Sequence, residues 1–243
     1  MTPLRAAAAN LLRAAARDPV LAVHAGLVDY GVAWDWQRAL VAARADDRVD
    51  DVLLTLEHPR VFTAGRRADP THLLWDATER LRRGVDFHEV DRGGDVTYHG
   101  PGQLVGYPIV RLHGLSGVVD YVRALEQVLV RTAAVFGVTA RPVAGLTGVW
   151  VGDDKLAAIG VRVSSHGVTS HGFALNVTTD LDDFGGIVPC GIPDRGVCSL
   201  ASLGVRVTVD DVRPVLWREF GEVVGGTVTP VELEDLPLPA VVT

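Results

Sequence analysis

The apolar positions of this chain fall into two rhythms. Ala33, Trp36, Leu40 and Val41 recur at helical spacing and predict a helix over Ala33–Ala45. Val118, Tyr121, Val122, Leu125, Leu129, Thr132 and Phe136 do so more regularly, and Gly137 marks the end of that helix. A last helix starts at the polar pair Asp210-Asp211 and runs to about Val223. Val52–Leu56, Asp86–Val90 and Leu104–Val110 are short runs bounded by polar residues, and they read as strands. From residue 149 strand-like segments follow in series: Val149–Val151, Leu156–Val163 and Val168–Val177. Gly152-Asp153-Asp154 and the stretch 164–167 separate them and read as hairpin turns. Hairpins in series beside helices predict an α+β fold, a mixed and largely antiparallel sheet with flanking helices, and not a doubly wound nucleotide fold.

Nothing in the chain repeats and no low-complexity linker divides it, so residues 19–228 are expected to form a single domain. Residues 1–18 are expected to be an extension, helical or disordered, and the proline-containing stretch 229–243 an extended or disordered tail. Leu4–Ala16 is rich in alanine, but Arg5 and Arg13 deny it the clean apolar core of a signal peptide. No window reaches the roughly eighteen uncharged apolar residues of a membrane span. A cytoplasmic location with no membrane partner is the default expectation, and the chain is expected to be a monomer.

Composition narrows the partners. Apolar residues make up 48% and charged residues 22% of 243, ordinary values for a globular protein. A formal net charge of −7 argues against nucleic acid, whose phosphates call for a basic surface. Arg66-Arg67 and Arg80, Arg82 and Arg83 are local exceptions, either solvated surface charge or contacts for an acidic protein. The two cysteines, Cys190 and Cys198, make neither a disulfide framework nor a zinc spacing.

The densest chemistry lies in Arg92–Gln103, which reads Arg-Gly-Gly-Asp-Val-Thr-Tyr-His-Gly-Pro-Gly-Gln. Four glycines in twelve residues mark a loop that lets something approach the main chain. It lacks both phosphate-binding templates and runs into a strand, so no helix N-terminus is offered to an anion. Cys190, between Pro189 and Gly191, is the candidate nucleophile or else a buried inert thiol. A thiol with its ordinary pKa of about 8.5 needs a neighbouring cation or base to react at neutral pH. Lys155 could direct its ammonium into a dry cavity, or pair with Asp153 or Asp154 in the turn before it. His99 and His171 each stand beside a glycine as a general base, a substrate contact or a core histidine. No ligand spacing surrounds either, so no metal is expected.

These segments together resemble one family. The Arg92–Gln103 motif, then Lys-Leu-Ala-Ala-Ile-Gly-Val-Arg-Val from Lys155, His-Gly-Phe-Ala-Leu-Asn-Val from His171 and Val-Pro-Cys-Gly-Ile around Cys190 are similar to the octanoyltransferases of lipoate synthesis. Glu57-His58-Pro59 and Thr63-Ala64-Gly65-Arg66 resemble that family's N-terminal signature, and the likeness spans about residues 20–220. It implies the fold of the biotin and lipoate protein ligases. It implies that Cys190 accepts an octanoyl group from octanoyl-acyl carrier protein as a thioester, and that Lys155 favours the thiolate and shuttles protons. The group then passes to a lysine on a lipoyl domain of a 2-oxo acid dehydrogenase E2 subunit or of the glycine cleavage H protein. The substrate site would be lined by Arg92, Gly93, Gly94, Asp95, Val96, Thr97, Tyr98 and His99, by Ala158, Ile159 and Gly160, and by Gly172, Phe173 and Ala174. The small residues Ala157, Ala158, Gly160 and Gly172 would leave room for the acyl chain. No cofactor is required, because thioester exchange is nearly isoenergetic. The alternatives are an ATP-dependent lipoate or biotin ligase, or a non-catalytic acyl-binding module of the same fold. Asp153 and Asp154 are expected to point to solvent; a carboxylate bonded to Lys155 would weaken its part as a base.

Overall fold

The computed structural model describes residues 19–112, 117–191 and 195–239; the extension expected at 1–18 lies outside these residues. Two sheets carry the architecture. The larger has eight strands in the order β11-β1-β2-β6-β10-β9-β8-β7, and the smaller has three in the order β4-β3-β5. The large-sheet strands are β1 (Val20–Leu27), β2 (Asp51–Glu57), β6 (Gln103–Ile109), β7 (Arg141–Val143), β8 (Leu146–Val151), β9 (Asp154–Val163), β10 (Thr169–Asn176) and β11 (Val228–Pro230). The small sheet holds β3 (Val61–Ala64), β4 (Asp86–Glu89) and β5 (Val96–His99). From β2 through β7 the large sheet is antiparallel, as the serial hairpins predict, and only β1 pairs in parallel, with β2 and β11.

Alternation along the strands sorts their side chains into two cores. Leu53, Leu104, Phe173 and Leu175 face α3 (Val118–Val135) and α4 (Val209–Val224). Val52, Leu54, Val105 and Ala174 face α1 (Tyr30–Ala45), whose Ala33, Trp36 and Leu40 complete that side. The result is helix, sheet and helix pair in three layers. Leu125 and Leu129 are almost wholly buried, worth roughly 2 kcal/mol each by area. Local chemistry sets the ends: Asp29 Oδ1 accepts the Gly31 N–H at 2.8 Å to start α1, and Thr208 and Asp211 form a reciprocal capping box on α4. A short helix α2 (Ala77–Arg83) precedes β4.

Residues 229–239 belong to the stretch expected to be an extended or disordered tail. Val228–Pro230 adds a parallel edge strand, and Leu236 is buried in the α1-side core. A three-residue strand is too short to show alternation, so its place is fixed by pairing with β1 and not by pattern.

Candidate active site

The glycine-rich stretch divides into a loop at residues 92–95, the buried strand β5, and a turn at residues 100–102. Period two then splits the strand. Thr97 and His99 face a cavity, whereas Val96 and Tyr98 turn into a separate cluster with Phe62, Phe184 and Ile187. Tyr98 donates its hydroxyl hydrogen to Asp183 Oδ2 at 2.8 Å, and Asp183 also pairs with Arg60. Val96 and Tyr98, expected to line the substrate site, face away from this cavity and anchor the strand that carries Thr97 and His99.

The cavity has a volume of about 660 Å³. Arg92, Gly93, Gly94 and Asp95 form one wall, and Ala158–Gly160 with Gly172–Ala174 form another. These last two segments are one cross-strand unit, with Ala158 opposite Ala174, Ile159 opposite Phe173, and Gly160 opposite Gly172. The Gly93 N–H donates to the Val161 carbonyl at 2.9 Å and ties the loop to β9. The glycines leave less room than expected. A β-carbon on Gly160 would lie 2.9 Å from the Gly93 carbonyl oxygen, and one on Gly172 would lie 2.1 Å from that of Gly106. Backbone fills the space, and Ala157 is buried in the α3–α4 core. Sequence reading missed the opposite wall, made by Val118, Val119 and Val122 of α3 with Leu146. Val118 and Val119 are exposed at the start of this helix.

Lys155 opens β9, is 5% exposed, and lines this cavity. Its Nζ lies 4.7 Å from the centroid of the Trp150 ring. Its main chain is held on the chain beyond Cys190: Lys155 N–H donates to the Gly196 carbonyl at 2.9 Å, and the Lys155 carbonyl accepts from Cys198 N–H at 3.0 Å. Asp153 and Asp154 are exposed, and Asp153 pairs with Arg195 at 2.9 Å. Among the described residues neither carboxylate forms an ion pair with Lys155. Cys190 occupies the middle of a short 3-10 turn, Pro189–Gly191, closed by the Gly191 N–H donating to the Val188 carbonyl. A narrow pocket is lined by both Lys155 and Pro189, so the cysteine's turn borders the lysine. Cys198 is buried, with its thiol 3.7 Å from the Asp154 carbonyl. Burial, with Asp154 adding to it, pushes that thiol up to about 12, which keeps it protonated and inert.

The histidines are built into the walls. His99 is buried and held well below its ordinary value by desolvation; its neutral ring bonds Gln103 Oε1 at 2.7 Å through Nδ1. Gln103 in turn donates to Asn176 Oδ1, and Asn176 to the Cys198 carbonyl. His171 has φ of 54°, in the left-handed region, and its Nε2 lies 2.7 Å from Asp91 Oδ1. Burial lowers it although Asp91 pulls the other way. His58 is fully buried between the Val28 carbonyl and the Tyr107 hydroxyl, each 2.7 Å away. Arg92 donates to the Thr63 carbonyl at 2.5 Å and to Thr63 Oγ1 at 2.9 Å, fastening the loop to β3. No helix among the described residues is long and apolar enough to cross a membrane.

The chain is similar to proteins of known family along most of its length. An octanoyltransferase of Acidobacterium capsulatum is 48% identical over 238 residues, covering 91% of this chain and 96% of the relative. An octanoyltransferase of Chloroflexus aurantiacus is 51% identical over 209 residues, covering 84% and 93%. A crystal structure of lipoate-protein ligase A bound with ATP superposes with a TM-score of 0.70 at 19% identity, over 88% of each chain. An archaeal bi-partite lipoate protein ligase system from Thermoplasma acidophilum gives 0.70 at 18%, over 90% of this chain and 88% of the other. At such identities the structures speak for the fold, which is the α+β fold of the lipoate protein ligases. The family model described as lipoyl protein ligase A/B catalytic domain matches residues 29–221, and the chain belongs to that family.

Proposed function

We propose that this chain is an acyltransferase of protein lipoylation that moves an octanoyl group from octanoyl-acyl carrier protein to a lysine of a lipoyl domain, through a thioester on Cys190. Octanoyltransferases about half identical over most of the chain support the octanoyl transfer. The observation that carries the site is the buried Lys155, which lines both the large cavity and the pocket bordering the turn of Cys190.

The chemistry runs in two balanced steps. The Cys190 thiolate attacks the octanoyl carbonyl carbon; a carbon–sulfur bond forms, the bond to the carrier's sulfur breaks, and the carrier leaves as a thiol after taking up a proton. The acceptor lysine's neutral amine then attacks the enzyme thioester. A carbon–nitrogen bond forms, the bond to Cys190 breaks, and the proton lost by the amine returns to the cysteine sulfur. The first exchange is nearly isoenergetic and the second is downhill, so neither needs ATP. The Lys155 ammonium stabilises the thiolate in both. The apolar wall of Val118, Val119, Val122 and Leu146 suits an eight-carbon chain. Lipoyl domains of E2 subunits and the glycine cleavage H protein are the proposed acceptors.

Intact-mass spectrometry after mixing with octanoyl-carrier protein, without ATP, tests this reading. One octanoyl adduct is expected, lost in Cys190→Ser and retained in Cys198→Ser. A wild-type protein that acquires no adduct rejects the mechanism.

A further inference from the structure

A buried carboxylate with no part in the transfer chemistry stands behind Lys155. Glu126, on α3, is 1% exposed, and its Oε1 accepts the Gly148 N–H at 3.1 Å. Its other oxygen pairs with Arg123, which is partly exposed and lines the same cavity as Lys155. Gly148 has φ of 120°, where any other residue would be strained. A β-carbon there would lie 2.6 Å from the Ala157 carbonyl oxygen and 3.5 Å from Lys155 Cε. The lysine stem thus passes beside the bare backbone of Gly148, and Glu126 holds that backbone by its N–H.

The same stretch carries an irregularity in the sheet. Trp150 pairs with Lys155 and Val149 with Ala157, so Leu156 is the extra residue of a β-bulge on β9. Regular alternation would put Leu156 and Ala157 on opposite faces, yet both are buried in the α3–α4 core. The bulge re-aims the residue beside it, Lys155, over the Trp150 ring and into the cavity. It also interrupts the ladder, and main-chain groups near it must find other partners. Glu126 supplies one to Gly148, the residue before the irregular pair. A buried N–H without an acceptor is costly, which ties the carboxylate to the shape of the bulge.

We propose that Glu126 is a positioning residue for Lys155: by accepting the Gly148 N–H it keeps β8 and the β8–β9 bulge in the shape that aims the lysine at the cavity. This rests on the octanoyl-transfer reading, in which Lys155 stabilises the Cys190 thiolate. Glu126 acts through Gly148 and moves no proton, so the lysine keeps its whole part in the chemistry. What matters in Glu126 is reach and not charge. Arg123 answers the charge, and a neutral acceptor of the same length would serve Gly148 equally.

Two conservative variants separate reach from charge. Glu126→Gln keeps an acceptor oxygen at full reach without the charge, and Glu126→Asp keeps the charge on a shorter side chain. Lys155 is the only lysine of the chain, so protein made with isotope-labelled lysine gives one side-chain signal by NMR, displaced by the Trp150 ring current. That signal is recorded without substrate, and single-turnover acylation of Cys190 by octanoyl-carrier protein is followed by intact mass. Glu126→Asp is expected to move the lysine signal toward its free position. It should also slow acylation at least about tenfold, with half-saturation by the carrier unchanged. Glu126→Gln is expected to keep both signal and rate near wild type. An unmoved signal or an unchanged rate in Glu126→Asp overturns the proposal, and so does an equal loss in Glu126→Gln. Should Glu126→Asp fail to fold, Glu126→Met takes its place with the same outcomes, because an apolar side chain of like size often replaces a buried ion-pair partner without loss of stability. A wild type that shows the displaced signal but takes no octanoyl group rejects the transfer reading instead, and the lysine signals of the variants still decide the part of Glu126.

Discussion

The Lys155 ammonium lies over the ring of Trp150, 4.7 Å from its centroid, and the Arg195 guanidinium approaches the same ring at 5.3 Å. Trp150 is itself buried and pairs with Lys155 across the β8–β9 hairpin, so hairpin register sets the lysine's address. Attraction to the ring face exists only while the nitrogen carries its charge, which suits the proposed part of Lys155 in stabilising a thiolate. Lys155→Met should slow Cys190 acylation about a hundredfold, roughly 2.7 kcal/mol of transition-state stabilisation. Lys155→Arg keeps the charge but not the compact ammonium and should fall between the two. Single-turnover mass spectrometry measures both, and an unaltered rate in Lys155→Met would remove the lysine from the chemistry.

Gly172 on β10 should tolerate no side chain. A β-carbon there would lie 2.1 Å from the Gly106 carbonyl oxygen and 2.7 Å from Pro108 Cδ, so β6 would have to move. Overpacking of this kind costs about 1–3 kcal/mol or more. Gly172→Ala should lower the thermal midpoint by several degrees, while Gly185→Ala, with nothing within 4 Å, should leave it near wild type. Equal midpoints for the two variants would contradict the packing.

Acid should destabilise the fold before the carboxylates titrate. Burial holds His58 down from 6.5 to about 4, and it lowers His99 and His171 as well. In the unfolded chain these imidazoles protonate near 6.5, so between 6.5 and 4 the unfolded state binds more protons than the folded one. Stability is therefore full above pH 6.5 and declines as pH falls toward 4, with His58 alone contributing on the order of 3 kcal/mol across its window. Urea midpoints at pH 7.5 and 5 measure this. His58→Gln should be weaker at pH 7.5 yet lose less on acidification; an identical pH slope would assign the effect elsewhere.

Arg66 and Arg67 are exposed beside the glycine loop, and Arg67 borders the mouth of the cavity. An acidic carrier protein delivering its acyl group there would meet both charges. Reversing them to glutamate should raise the apparent KM for the carrier several-fold, with the effect shrinking as salt screens it. A KM that does not move at low ionic strength would place the carrier on another face.

Most of the frame could be read before any coordinates. Tyr30–Ala45 begins three residues before the predicted Ala33 and Val118–Val135 ends one short of the predicted Phe136, because their apolar stripes are regular. The hairpins around residues 152 and 164–167 were legible from glycine and polar turns between β-branched runs. The short strands of the small sheet were harder. Four residues of Val96–His99 inside a glycine-rich motif give too few periods to separate strand from loop, so the sequence alone does not tell that Val96 and Tyr98 face away from the cavity. Val228–Pro230 is shorter still and gains its identity only from β1.

By itself the sequence determined the helices, the serial hairpins, the two lone cysteines with their different surroundings, and the motifs that place Lys155 and Cys190 in one family's pattern. Those are properties of neighbours in the chain: spacing, turn chemistry and side-chain type. Tertiary structure decided which wall each residue joins. It set Gly160 opposite Gly172, filled the space beside them with backbone, and turned Tyr98 to Asp183. It also brought His72 and Asp95, 23 positions apart in the chain, onto the glycine that follows Cys190. Nothing local links those three positions. Strand pairing and sheet closure bring them together, and a pairing made across a hundred residues leaves no periodic trace in the chain that makes it.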